Sequence, residues 1–532
     1  MVGMARRSGK PAHVDPETHK IGSAAAATAT GVMVGKAISI IFLGLSFIVV
    51  ARLLGPSLYG IYTLALAVAG FGAAIGNFGV GIAMNRFIPE YLYKGDKRSI
   101  EDILANSFFV TIVMSLAIAV ATIALSGMIS TNIFHNASYT LVIDIAAVSI
   151  ISSMLFSASY SALLGFNKGL HLALANTVQA VLQSALSVLF VFMGFGAAAP
   201  IIGMIIGYSA GFLYSLYLIY SKNGLRMLVM PSIDSIKKIF RFSVPISVSL
   251  TSMSLVYNLA FIVVGAYATT VVIGNLGVAS KVNSFIDIVA GSISVSLLSM
   301  YSTTLASKRV RAKISQFYNH TVYYSFILLA PILLFIVVLA QPFSYVAFSS
   351  VYRIAPLFIA IMGIGALIAL AGQYANTLLM SANKVKKVFK YNMIISAAQL
   401  VLIFILIPLF KGIGLVLILF IIVPILTNIL YIRSSDKLFR LGFDIMKLLR
   451  IMAANGISML LIVPLIIIWQ SNYIPLLITA AIELVIIYPI ILGLVRGVDR
   501  NDTRILGSMT NKIPVLGAAF GAVLRYTAIF VR

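Results

Sequence analysis

Fourteen long apolar segments run through this 532-residue chain, and they constrain its fold more than any other feature. Most exceed the about 20 apolar residues that one helix needs to cross a bilayer. A transmembrane β-barrel would show alternating segments of about ten residues instead, so the sequence predicts an all-α polytopic membrane protein with fourteen transmembrane helices. The segments are residues 29–51, 59–84, 103–126, 139–164, 172–193, 198–220, 244–268, 276–300, 320–340, 354–381, 393–410, 412–432, 451–469 and 475–495.

Basic residues fall almost entirely on one side of this predicted bundle. Of the 38 Lys and Arg residues, 33 lie in the alternate connections that include both chain ends, and three lie in the other connections. The positive-inside rule therefore predicts a multi-pass protein of the plasma membrane with both termini in the cytoplasm. Topology and anionic lipid headgroups account for the net charge of +24 without a nucleic-acid partner.

A weak internal duplication predicts two lobes of six helices each, followed by two C-terminal helices. Gly165–Lys168 (GFNK) precedes span five, and Ser381–Lys384 (SANK) precedes span eleven, six spans later. Repeats of six spans are typical of transporters whose substrate path lies between the halves. The predicted organisation is a cytoplasmic segment 1–28, an N-lobe 29–220, a basic linker 221–243, a C-lobe 244–432, two further spans within 433–495, and a cytoplasmic or interfacial tail 496–532.

Motifs for catalysis or metal binding are absent from the sequence. The chain has no cysteine, and its five histidines lie in loops or at span ends and form no His-Glu-x-x-His pair, so we expect no metal and no cofactor. A membrane glycan polymerase or ligase would need large outer loops with acidic residues, whereas the predicted outer connections contain no Asp or Glu. The sequence favours a transporter over an enzyme.

Cations inside or beside the spans are candidates for substrate binding, because a charge at the bilayer centre costs about 2.5–3.5 kcal/mol unless it faces water or a partner. Lys36 is either a snorkelling anchor or a cation at the inner mouth of a cavity, and Lys281 lies within span eight. Arg86 ends span two, where Glu90 at i+4 is a candidate ion-pair partner. The neighbouring Asn85 adds a buried polar group.

Acidic residues inside the spans are candidates for coupling to H⁺ or Na⁺. Asp287 lies six positions after Lys281, which places the two side chains on different faces of one helix. Asp144 in span four and Glu483 in span fourteen are further candidates. The alternative for Asp287 is a structural role as the partner of a buried cation.

Two stretches resemble a known family. ARLLGPSLYGIYTLALAVAGFGAAIGNFGVGIAMNRFIPEYLYKGD (51–96) and LLMSANKVKKVFKYNMIISAAQLVLIFILIPLFKGIGLV (378–416) are similar to the polysaccharide-transport, or Wzx-type, flippases of the multidrug/oligosaccharidyl-lipid/polysaccharide (MOP) exporter superfamily. The resemblance implies two six-helix lobes that open alternately to the two sides and move an isoprenoid-pyrophosphate-linked oligosaccharide to the outer leaflet. Family members with a cationic cavity draw on the first, second, seventh and eighth spans, and the charged residues here are Lys36, Arg86, Lys281 and Asp287.

We therefore expect a lipid-linked oligosaccharide flippase that works by alternating access and serves surface polysaccharide or glycoprotein assembly. Its expected partners are the lipid-linked substrate, membrane lipids, and the glycosyltransferases, polymerase or ligase of the same pathway. A cation-coupled exporter of small molecules, similar to the multidrug and toxin extrusion (MATE) proteins, is the first alternative. A non-transporting scaffold is disfavoured, because it would gain nothing from charges inside its spans.

Overall fold

The computed structural model describes residues 16–223, 230–306, 313–470, 472–499 and 502, and this part of the chain is helical without a β-strand. It contains fifteen α-helices in these ranges. They are α1 Pro16–Gly76, α2 Val80–Lys94, α3 Lys97–Met128, α4 Thr140–Gly165, α5 Gly169–Phe192, α6 Ala199–Asn223, α7 Ile233–Tyr267, α8 Thr270–Ala306, α9 Ile314–Val338, α10 Ala340–Phe348, α11 Ala355–Ser381, α12 Val385–Leu417, α13 Val423–Phe439, α14 Ile445–Trp469 and α15 Tyr473–Leu494. The expected all-α class is confirmed.

Two continuous helical stretches are too long for one crossing. Residues 35–76 form 42 residues of apolar helix and residues 385–439 form 55, which at about 1.5 Å per residue is at least twice the about 30 Å hydrocarbon core. Each contains one residue outside the helical region of backbone space, Gly55 at φ 68° and Lys411 at φ 50°. Two crossings therefore join at each of these residues. The fourteen predicted segments correspond to helices, or parts of helices, in the described chain.

The boundaries of the second and seventh spans differ from the predicted ones. The second span ends at Gly76 rather than at residue 84, because residues 77–79 leave the helix and Gly79 adopts φ 74°. The chain then continues as the separate amphipathic helix α2. At the other boundary, the second half of the predicted linker 221–243 is helical and continuous with α7, which bends by 56° between Val248 and Thr251.

The turns GFNK and SANK of the predicted duplication have the same backbone conformation. Asn167 has φ 55° and Asn383 has φ 57°, both in the left-handed region that asparagine tolerates better than most residues. In each turn the lysine after the asparagine donates its backbone N–H to the carbonyl five residues earlier, at 3.4 and 3.0 Å respectively. This is the hydrogen bond that closes a helix C-terminus in a Schellman motif.

Helix packing follows the two predicted lobes. In the first, α5 packs against α1 and α6, and α4 packs against α3 and α6; in the second, α11 packs against α8, α9 and α13. The last two helices, α14 and α15, pack against each other, and they contact the second lobe through α9 and α10. The lobes meet where α1 contacts α7 and α8. Apart from Asp502, the predicted tail after residue 499 lies outside the described residues.

Candidate functional site

Three adjoining cavities lie between the two lobes, and together we call them the central cavity. The first, of about 350 Å³, is lined by α1, α4 and α6 of the first lobe and by α7 and α8 of the second. It shares Tyr59, Tyr62 and Lys281 with a second cavity of about 270 Å³, and Gly70 and Asn258 with a third of about 490 Å³. The three spaces therefore adjoin one another.

The central cavity extends along most of a bilayer crossing. Its lining follows the second half of α1 from Tyr59 to Gly76, which is about 25 Å at about 1.5 Å per residue. At the end near Gly55 the path narrows between two backbones: a β carbon on Gly274 of α8 would lie only 1.9 Å from the carbonyl oxygen of Pro56. The two lobes are in direct contact there.

Lys281 contributes the single charge to the described wall of the central cavity. It lines two of the three adjoining spaces, and its side chain is exposed to them although it lies within the bundle. In the described residues it has no ion-pair partner. A cation with no fixed counter-ion, held in a water-accessible space at membrane depth, is suited to an anionic group that enters from outside.

Four tyrosines surround the same space. Tyr59 and Tyr62 project from α1, Tyr208 from α6 and Tyr257 from α7. Their rings are held by aromatic neighbours: Tyr59 and Tyr62 meet edge to face at 5.2 Å between centroids, and Tyr257 lies 5.3 Å from Phe261. Such rings offer flat apolar faces together with a hydroxyl that can donate or accept.

Amide and hydroxyl groups complete the wall. Gln179 and Gln183 of α5 hydrogen-bond to each other beside Lys281, and Asn258 of α7 donates Nδ2 to the Ser254 carbonyl at 2.8 Å, which leaves the oxygen of Asn258 facing α1 at Gly70. Several serines of α4, α7 and α8 lie between them. The wall therefore combines one cation with many neutral polar groups.

Two of the other predicted substrate residues lie together on α2, outside the described lining of the central cavity. The guanidinium of Arg86 stacks 4.8 Å above the ring of Phe242 of α7, so it bridges the two lobes. The expected ion pair between Arg86 and Glu90 is wrong, because Glu90 pairs with Lys94 at 2.6 Å, which lies a further turn along α2. Asn85 is exposed rather than buried between helices.

Lys36, the remaining predicted cation, lies near the start of the described side chains of α1. It is exposed, while its neighbour Gly35 packs tightly against Ala173 of α5. It precedes by eight residues, or about 12 Å, the point where Gly44 contacts the ring of Phe285 of α8. Lys36 does not line the central cavity among the described residues.

Asp287 lies in a different cavity from Lys281, as their six-residue spacing predicts. This second-lobe cavity, of about 210 Å³, is enclosed by α8, α9 and α11 and is apolar except for Asp287 and Gln373. Asn283, one turn earlier on α8, donates Nδ2 to the Asp287 carboxylate at 2.9 Å. We refer to this space as the Asp287 cavity.

The other two predicted acids are far apart in the fold. Asp144 belongs to α4 of the first lobe and has one buried carboxylate oxygen without a hydrogen-bond partner among the described residues. Glu483 belongs to α15, outside both lobes, and both of its carboxylate oxygens are buried and unpartnered within the described chain. Neither acid lines the central cavity described above.

The tyrosine wall is the part of this site that charge-based reasoning missed. Inside a predicted span a charged residue is conspicuous, whereas tyrosines at 59, 62, 208 and 257 look like ordinary apolar packing residues. One sequence pattern could have indicated them. Tyr59 and Tyr62 follow shortly after Gly55 and are three residues apart, a spacing that places both side chains on one face of a helix.

Comparison with known proteins gives one family and one fold. A family model described as "Polysaccharide biosynthesis protein" matches residues 24–302. The lipid II flippase MurJ in an inward closed conformation has a TM-score of 0.67 at 16% identity, covering 87% of this chain and 98% of that one. An inward-facing multidrug resistance MATE family transporter of the MOP superfamily has a TM-score of 0.65 at 13% identity, covering 77% and 98%.

A MOP superfamily transporter from Pyrococcus furiosus shares the fold at lower similarity, with a TM-score of 0.52 and 13% identity over 78% of this chain and 95% of that chain. No curated protein matches the sequence. The expected MOP fold is confirmed by these structures, whose identities are too low to carry an activity over to this chain.

Proposed function

Because this chain belongs to the polysaccharide biosynthesis protein family, we propose that it is a flippase that moves an isoprenoid-pyrophosphate-linked oligosaccharide across the membrane. The family and the MOP fold support transport rather than catalysis. The direction of the proposed movement is from the cytoplasmic to the outer leaflet of the plasma membrane, with both chain ends in the cytoplasm. The basic alternate connections support that orientation.

The observation that carries the proposal is the position of Lys281 in the central cavity. A pyrophosphate and its sugars cannot enter hydrocarbon unaided, since their polar groups would lose water without replacement. Lys281 offers a charge-assisted partner for the phosphate, while amides, hydroxyls and tyrosines replace the water around the sugars. The isoprenoid tail remains in lipid beside the bundle.

In the proposed orientation the structure is closed at its outer end. The contact between Pro56 and Gly274 joins α1 and α8 on the outer side, and the central cavity extends from there toward the cytoplasmic side near Gly76. Alternating access then requires α1, just after its break at Gly55, to part from the N-terminal turns of α8. At the cytoplasmic side, the cation–π contact between Arg86 and Phe242 is one of the bridges between the lobes.

Energy for the movement comes, in this proposal, either from the concentration gradient of the substrate, which is consumed on the outer side, or from H⁺ or Na⁺ coupling through an intramembrane acid. Asp287 is the first candidate because its cavity adjoins the central cavity through Phe285, which lines both. Asp144 and Glu483 are the other candidates, because each is an acid within a span and has at least one buried carboxylate oxygen without a hydrogen-bond partner in the described chain.

Deletion of the gene in the organism that encodes it tests the function. We expect one lipid-linked saccharide to accumulate on the cytoplasmic leaflet and surface glycan to decrease, and we expect mass spectrometry of the extracted lipids to identify the saccharide. The wild-type gene should restore the glycan, whereas a Lys281→Met gene should not. Unchanged lipids and unchanged surface glycan would contradict the proposal.

The Asp287 cavity supports a second candidate, a cation-coupled exporter of small molecules. An apolar space of about 210 Å³ with one carboxylate in its wall suits a lipophilic organic cation. Efflux of ethidium from cells that express the protein tests this candidate. Efflux that is lost in Asp287→Asn and retained in Lys281→Met would support it over the flippase.

A further inference from the structure

We infer that the headgroup that crosses through the central cavity has uncharged sugars, so that the phosphate linkage is its only anionic part. This inference rests on the proposed flippase function and narrows its substrate class. It follows from the number and kind of charges that the wall of the cavity can offer.

The described wall of the central cavity contains one positive charge, Lys281, and no carboxylate. The stretches 249–250 and 288–300 in the second lobe contain no Lys, Arg, Asp or Glu by sequence. Three cations near the ends of the bundle, Lys36, Arg86 and Lys238, lie outside this described wall. Within the described wall, positive charge is therefore limited to Lys281.

A diphosphate diester has two negative charges at neutral pH, which is more than Lys281 alone neutralises. An acidic sugar such as a uronic acid would add a third charge without a cation to meet it. A carboxylate that contacts this wall gives up part of its water and gains no cation in exchange, which is unfavourable. The wall therefore discriminates against acidic sugars by leaving them unpaired.

Neutral sugars, in contrast, match the rest of the wall. The C–H groups on one face of a pyranose ring can contact the faces of Tyr59, Tyr62, Tyr208 and Tyr257. Its hydroxyls can bond to Asn258 and to the serines of α4 and α8, which both donate and accept. These groups are neutral, so they select for shape and hydrogen bonding rather than for charge.

Two synthetic lipids test this inference, farnesyl diphosphate esters of glucose and of glucuronic acid. They differ only at the sugar C6, which is a hydroxymethyl group in one and a carboxylate in the other. Binding to the purified full-length protein in detergent is measured by titration at neutral pH. We expect the dissociation constant of the glucuronate to be at least about tenfold higher than that of the glucoside.

A second cation placed beside Lys281 should reduce the preference of the protein for the glucoside over the glucuronate. Ser284 lines the central cavity one turn after Lys281 on the same face of α8, so Ser284→Lys should bring the two dissociation constants closer together. Ser302→Lys is the matched control, since Ser302 is an exposed residue of the same helix outside the described cavity wall. It should leave the discrimination unchanged.

The possible outcomes separate this inference from the proposed function. If both lipids bind wild-type protein equally, or if Ser284→Lys does not narrow the difference while Ser302→Lys behaves as wild type, the inference is overturned and the flippase function stands. If neither lipid binds, the proposed function fails and the inference fails with it. Preferential binding of the glucoside that is lost in Ser284→Lys supports both.

Discussion

Gly60 of α1 and Thr270 of α8 are in backbone contact: a β carbon built on Gly60 would lie 1.9 Å from the carbonyl oxygen of Thr270. The contact lies at the same end of the central cavity as that between Gly274 and Pro56. Since only glycine leaves room for another backbone at this distance, the closed junction of the lobes depends on these two positions.

Gly60→Ala should therefore prevent α1 and α8 from closing and should abolish most transport, while the protein still inserts in the membrane. Transport in reconstituted vesicles and the amount of protein in the membrane are measured together. Gly127→Ala in α3 is the matched control, because nothing lies within 4 Å of a β carbon at that position. Wild-type transport by Gly60→Ala would show that the contact is dispensable.

An ion pair fastens the end of the described chain to α14. Lys447 Nζ lies 2.7 Å from the carboxylate of Asp502, which is 2% exposed and also accepts from the Tyr324 hydroxyl at 3.0 Å. Asp502→Asn leaves the partly buried lysine with Asp499, at 3.5 Å, as its remaining ion-pair partner, so we expect the free energy of unfolding to fall by about 1.5–3 kcal/mol.

Thermal unfolding in detergent measures this loss. The exposed pair of Glu90 and Lys94 provides the control, since Glu90→Gln removes an ion pair of similar length that is accessible to solvent and should leave the unfolding temperature unchanged within error. Equal effects of Asp502→Asn and Glu90→Gln would contradict the account of the buried pair.

Asp96, which caps the N-terminus of α3, should make stability depend on pH in the acid range. Its carboxylate accepts from the Ser99 hydroxyl at 2.6 Å and from the Ser99 backbone N–H at 3.1 Å, and these bonds lower the pKa of Asp96. A lowered carboxyl pKa stabilises the folded state above the ordinary value of about 3.9, and this contribution is lost as the pH falls through the lowered folded value. Asp96→Ala should flatten the acid limb of the unfolding curve, and an unchanged acid limb would contradict this role.

Asp287 should determine the response of transport to an imposed ion gradient. We expect Asp287→Asn to remove the stimulation by a proton or sodium gradient, because the amide cannot change charge. Asn283→Ala removes the 2.9 Å hydrogen bond to the carboxylate but keeps the acid, so stimulation should persist at a shifted pH or ion concentration. If the ion gradient still stimulates transport fully in Asp287→Asn, Asp287 is not the coupling residue, and Asp144 and Glu483 remain as candidates.

The sequence predicted the helical class, the fourteen segments and the duplication, because these depend on apolar length and turn chemistry. Asn167 and Asn383 illustrate this, since an Asn-Lys turn before each repeated helix predicts the left-handed conformation that both adopt. The sequence did not predict the end of span two at Gly76, because the apolar pattern continues past this break into the amphipathic helix α2.

Prediction of the candidate site was less complete. Of the four cations and polar residues chosen for substrate binding, Lys281 lines the central cavity, whereas Arg86 stacks on Phe242 and Asn85 is exposed. Whether Arg86 can bind substrate depends on which helix its side chain contacts. Tertiary packing determines this contact, and the sequence pattern does not reveal it. Sequence spacing alone predicted that Lys281 and Asp287 face different sides of the bundle, because both lie on the same helix.

Flipping of a fluorescent undecaprenyl-diphosphate-linked sugar in reconstituted vesicles tests the central role of Lys281 most directly. We predict that Lys281→Met lowers the initial rate by about 10- to 100-fold, since a hydrogen bond to a charged group contributes about 1.5–3 kcal/mol, and that Lys281→Arg keeps most of the rate. Equal rates for wild type and Lys281→Met, at matched protein density, would contradict the account.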